Sequence, residues 1–140
     1  MNATRTLILI VMIAAWICLP VWATGEDSTV FFVSGQGNDA WSGCLAAPNA
    51  DSSDGPFATL HRARDEIRAI RNSGTPPDGN VFVVVRAGTY YMQEPLKLTS
   101  DDSGTDPSRI VYTAYPGEEV RLCGGRPVGG FKQVTDPDVL

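Results

Sequence analysis

Val81–Thr99 reads VFVVVRAGTYYMQEPLKLT, a stretch dominated by β-branched, aromatic and turn-forming residues. Val81–Arg86 (VFVVVR) is apolar up to its last residue, which fits a strand buried on both faces; a half-buried strand would alternate. Ala87-Gly88 interrupts it, and Tyr90–Met92 and Leu96–Thr99 (LKLT) follow as further short β segments around Gln93-Glu94-Pro95. Ile110–Tyr115 (IVYTAY) and Val120–Cys123 (VRLC) repeat the pattern, separated by polar Ser100–Ser108 and by Pro116-Gly117 and closed by Gly124-Gly125. Short strands with frequent turns, and no second amphipathic helix between them, predict a mainly β protein and exclude alternating βαβ architecture. Composition leaves a sandwich, a barrel and a β-solenoid equally open.

Upstream, Thr29–Ser34 (TVFFVS) predicts a strand entering the turn Gly35–Asp39, and Ala40–Pro56 a long polar loop whose one large apolar residue is Trp41. Trp41 is expected to pack that loop onto the domain, with sugar binding as the alternative. Phe57, Leu60, Ala63, Ile67 and Ile70 recur at three- and four-residue steps, the spacing of one helical face. Thr59 is the expected N-cap, because its hydroxyl can accept an amide hydrogen of the first turn. Asn72-Ser73-Gly74, ahead of Pro76-Pro77, ends the helix, predicted over about 59–72. His61 falls on its polar side, where a solvated role is expected.

The first 23 residues address the chain. Arg5 precedes an unbroken apolar run of 13, Leu7–Leu19, followed by Pro20 and Val21-Trp22-Ala23. This is the order of a secretory signal peptide, and the run is shorter than the roughly 20 residues that span a bilayer. A secreted, extracellular or periplasmic/cell-envelope location follows, without stable membrane insertion once the signal is removed. Removal takes Arg5 and no acidic residue, so the net charge of −5 becomes −6. An acidic domain lacks the basic face that nucleic acid requires. Cys44 and Cys123 remain in the exported part; they are either a disulfide or two partly buried thiols, and nothing in the sequence brings them together. With His61 as the one histidine and no CxxC, structural zinc is excluded.

Four stretches in order, FFVSGQGNDAWSG, GPFATLHRARDEIR, VFVVVRAGTYYMQEPLKLTSDDSGT and IVYTAYPGEEVRLCGG, resemble the opening of secreted right-handed parallel β-helix proteins of the pectate-lyase-like superfamily. The resemblance runs from about Thr29 to about Phe131. It implies a right-handed parallel β-helix (solenoid) start with one N-terminal amphipathic capping helix, with Gly88 and Gly117 at the tight turns between coils. The implied organisation is a signal peptide at 1–23, an entry strand, loop and capping helix at 24–80, first coils at 81–131, and a truncated continuation or tail at 132–140. Too few residues follow position 80 for the three coils a continuous core needs, so a piece of a longer protein is expected, against the alternative of a complete small protein. The longer form is expected to act on polysaccharide as a lyase or glycoside hydrolase, this chain being inactive alone; the alternative is a non-catalytic glycan-binding or cell-envelope structural protein.

No catalytic constellation emerges from the residues themselves. A full-length lyase would use Ca²⁺ held by clustered carboxylates. Asp101, Asp102 and Asp106, and the Asp51–Asp54 loop, are the nearest approaches, and both are read as solvated turns because their spacing matches no cation-binding loop. Glycoside hydrolysis needs two positioned carboxylates. Glu94, Glu118 and Glu119 are present without evident partners, and Glu118-Glu119 is read as a solvated turn. SGQGND precedes a loop, so its glycines are not read as a phosphate cradle.

Overall fold

The computed structural model describes residues 28–74, 79–106, 108–135 and 138; the signal-peptide reading of 1–23 lies outside them. Five strands and one helix follow in order: β1 Thr29–Val33, α1 Leu60–Asn72, β2 Val81–Val85, β3 Gly88–Tyr91, β4 Ile110–Ala114 and β5 Val120–Cys123. β1, β2 and β4 form one sheet in that order, and β3 and β5 a second. Every pairing between these strands is parallel: Thr29 faces Val81, Val81 faces Ile110, and Gly88 faces Val120. The corner Arg86-Ala87 leads β2 into β3, and residues 115–119 lead β4 into β5, so the second sheet begins where the first ends.

The apolar run of β2 explains its central place. Val81, Val83 and Val85 turn one way into a cluster with Phe31, Val33, Phe57, Leu60, Ala63 and Ile67, and Val84 is fully buried on the opposite face. A strand closed on both sides is what VFVVV predicts. Each buried Val, Leu, Ile or Phe stabilises the fold by roughly 1.5–3 kcal/mol, and eight of them meet Ala63 in one cluster. The helix supplies its expected stripe: Leu60, Ala63 and Ile67 are buried and Ile70 packs against the cluster. Thr59 caps it, its Oγ1 accepting from the Arg62 N–H at 3.1 Å.

The Ala40–Pro56 loop is tied along β1 by backbone bonds from Phe32 N to Gly43 O (2.7 Å) and Phe57 N to Phe32 O (2.9 Å). Gly43 is required there, since its φ is +74° and a Cβ would lie 2.3 Å from the Phe57 ring. Trp41 lies against Gly55, within the loop itself.

The architecture corrects the expected right-handed parallel β-helix. The described residues form a small domain of two small parallel sheets and one helix, with no solenoid. The strand–corner–strand unit occurs only twice among them, and residues 124–135 add no strand below β4 and β5. Two stacked units do not enclose a continuous core. Leu96–Thr99 is also not a strand: Leu96 packs on the core, Leu98 is exposed, and Thr99 caps a 3-10 turn at Ser100–Asp102. Cys44 and Cys123 are both free thiols.

Candidate functional site

Three clusters of polar side chains stand out, and their geometry separates support from opportunity. At the first, Arg86 leaves the end of β2 and meets Glu118 from the β4–β5 corner. Its Nε donates to Oε1 and Oε2 at 3.1 and 3.0 Å, and Nη2 donates to Oε1 at 2.8 Å. Nη1 donates to Ala46 O at 2.5 Å, and the guanidinium lies 4.6 Å from the Tyr115 ring centroid. The Ala87 N–H also donates to Glu118, at 2.6 Å. Arg86 thereby holds the Glu118 carboxyl below its ordinary range. Glu118, expected as a solvated turn residue, instead fastens two corners together, and Arg86 extends the link to the long loop at Ala46.

The second cluster joins the helix to the 3-10 turn. Arg68 Nε and Nη2 donate to the two oxygens of Asp102 at 2.7 and 2.6 Å, and the Thr99 N–H donates to Oδ2 at 2.7 Å. The Asp102 side chain is 5% exposed. The Arg68 guanidinium beside it holds its carboxyl down to about 2. Asp102 is therefore not the solvated residue expected, nor is it open to a cation, because its oxygens already accept from Arg68 and Thr99. Asp54 is likewise engaged, accepting from the Ser42 N–H and Oγ–H at 2.8 Å each. Among the described residues no three His, Cys, Asp or Glu side chains stand where they could hold a metal ion together.

The third feature is a cleft of about 690 Å³ between the first turn of α1 and the strand and turn of Thr89–Glu94. This volume falls within the roughly 300–1,000 Å³ of small-ligand sites. Tyr91, Gln93, Glu94 and His61 line it, with Arg64 and Asp65 on the helix side. Arg64 is committed to Asp65 at 2.7–2.8 Å, and the His61 Nε2 lies 3.4 Å from Pro95 O. Glu94 joins none of the ion pairs among the described residues. Glu119 pairs with Arg121 on the exposed surface instead. His61, on the polar side of α1, lines this cleft, and the structure brings it to the same cleft as Glu94, across more than thirty residues of sequence.

The floor of this arrangement rests on Asp39, which sequence reading passed over. Its Oδ1 accepts from the Ala58 and Thr59 N–H groups at 2.8 and 2.9 Å, and Oδ2 accepts from Thr59 Oγ1 at 2.8 Å. Asp39 O accepts from Arg62 Nε at 3.0 Å. The signal was present in GQGND: an Asp in a turn is a ready acceptor for orphan helix donors, though its partner lies twenty residues away.

No family model and no curated protein matches this chain. Among solved structures, one titled "Glycoside hydrolase" is similar, with a TM-score of 0.63 and 31% sequence identity over 76% of this chain. The chain spans 17% of the length of that structure. The fold described here is thus similar to a minor portion of a much larger glycoside hydrolase. No helix among the described residues is long and apolar enough to cross a membrane.

Proposed function

We propose that the chain is part of an exported protein that acts on polysaccharide, and that these residues associate with the glycan rather than cleave it. The observation that carries this reading is the likeness to the structure titled "Glycoside hydrolase". Export rests on the signal-like order of residues 1–23. The non-cleaving role rests on the fate of the carboxylates. Hydrolysis needs two of them facing one glycosidic bond, one as acid and one as base or nucleophile. Asp65, Asp102, Glu118 and Glu119 are committed to arginines, and Asp39 and Asp54 to backbone and hydroxyl donors. The cleft offers Glu94 without a second uncommitted carboxylate beside it.

The test is a pair of assays on the purified chain. Retention on insoluble polysaccharides, without release of reducing ends or unsaturated uronate products, is the expected outcome. Release of either product overturns the non-cleaving role, and absence of retention on every polysaccharide overturns the glycan association.

A further inference from the structure

β3 is an edge strand. Its only strand partner among the described residues is β5, and the ladder fixes which backbone groups are spent. Gly88 N donates to Glu119 O at 3.1 Å and Met92 N to Cys123 O at 2.8 Å. In a parallel ladder the residue that donates to its neighbour also accepts from it, and the next residue turns both groups the other way. Gly88, Tyr90 and Met92 therefore face β5, whereas Thr89 and Tyr91 present N–H and C=O along the open edge, which borders the cleft. Such an edge is a row of donors and acceptors at fixed spacing.

Successive residues of a strand face opposite sides, so Tyr90 turns inward and donates its hydroxyl to Arg86 O at 2.8 Å, while Tyr91 stays 50% exposed. Beyond it Gln93 and Glu94 line the cleft, with His61 across from them. An aromatic face with alternating donors and acceptors suits a sugar ring, which carries C–H groups on one face and hydroxyls that both give and take hydrogen bonds around its rim. A peptide strand added to this edge would require apolar pockets for alternate side chains. The cleft is instead one continuous space of about 690 Å³, whose walls mix Ala58, Leu60 and Met92 with polar and aromatic side chains, rather than a series of separate pockets. Charge decides between sugar classes: the chain carries −5, Arg64 is already neutralised by Asp65, and Glu94 adds a negative group. A uronate polymer would meet repulsion here.

We propose that the cleft between α1 and the free edge of β3 binds a neutral sugar unit of a polysaccharide, with Tyr91 as the platform and Thr89, Gln93, Glu94 and His61 as hydroxyl partners. This rests on the glycan reading above and names its site and sugar class. No bond is made or broken at the cleft.

The experiment is calorimetric titration of the full chain with neutral cello-, xylo-, manno- and galacto-oligosaccharides, with oligogalacturonate, and with an extended Thr/Val-alternating peptide. The same titrations use Tyr91→Ala, Glu94→Gln and, as a control outside the cleft, Val128→Ala. At least one neutral oligosaccharide is expected to bind, weakened about tenfold or more by Tyr91→Ala, as for loss of an aromatic anchor. Glu94→Gln is expected to weaken binding less, and Val128→Ala is expected to leave it unchanged. Neutral sugar binding that neither cleft variant alters overturns the cleft and leaves the glycan reading standing. Preference for oligogalacturonate overturns the sugar class, and binding of the peptide alone overturns the ligand. Absence of binding to any sugar or polysaccharide overturns both readings.

Discussion

Arg86, at the corner that ends β2, grips both carboxylate oxygens of Glu118, at the corner before β5, with distances of 2.8–3.1 Å. The pair ties the end of β2 to the corner between β4 and β5, and so links the two sheets. Partial burial and several simultaneous donors set it apart from an exposed ion pair, which contributes little.

Glu118→Ala removes the acceptor of three guanidinium bonds and of the Ala87 N–H. The expected cost is about 1–3 kcal/mol, the range for leaving partly buried donors unmade. Urea unfolding checks it, with a lower midpoint and an unchanged slope as the expected result.

Arginine partners depress the folded-state pKa values of Asp102, to about 2, and of Glu118. A carboxyl whose folded pKa lies below its unfolded value, near 3.8 for Asp102, stabilises the fold at pH above the unfolded value. That stabilisation is lost as protons bind on the way down to the folded value. Stability is therefore expected to fall between about pH 4 and pH 2, and thermal unfolding across that window measures it. Asp102→Asn is expected to lower stability near neutral pH and to flatten the fall below pH 4.

Asp39 and Thr59 cap α1 as a unit, since Asp39 holds the Thr59 hydroxyl that in turn holds Arg62 N. Asp39→Ala and Thr59→Ala are each expected to cost about 1–2 kcal/mol. Because one positions the other, the double variant is expected to cost less than their sum, and a double-mutant cycle reads the coupling.

Gly43→Ala and Gly117→Ala separate backbone from steric effects. Both glycines have positive φ, +74° and +79°, but only at Gly43 would the new methyl meet an aromatic ring. Both are expected to destabilise by about 1 kcal/mol from backbone conformation alone. Gly43→Ala is expected to cost more by at least a further ~1 kcal/mol, since the buried Phe57 has no room to move. Chemical denaturation of the two variants compares them.

The local features were legible in the sequence because local chemistry sets them. The Leu60–Ile67 stripe, the Thr59 cap and the doubly buried VFVVV strand follow from periodicity and side-chain type within a few residues. The roles of Asp39, Asp102 and Glu118 were not legible, because their partners lie some 20 to 34 residues away and no local spacing encodes such pairs. Leu96–Thr99 looked like a strand because Leu-Lys-Leu-Thr alternates. Its neighbours instead draw Thr99 into capping a 3-10 turn that Arg68 anchors. The solenoid expectation came from ordered motifs; the parallel pairings are present, but two small sheets among the described residues do not make a solenoid. The cleft was invisible for a similar reason, since its walls come from a helix face and a strand edge that only folding brings together.

The most direct measurement is an amide and side-chain chemical-shift map of the isotope-labelled chain during titration with neutral oligosaccharides. Saturable shifts concentrated at Thr89, Tyr91, Gln93, Glu94 and His61 are expected, with the Arg86–Glu118 corners unperturbed. Saturable shifts centred elsewhere, or none with any neutral sugar at millimolar concentration, would contradict neutral-sugar binding at the cleft.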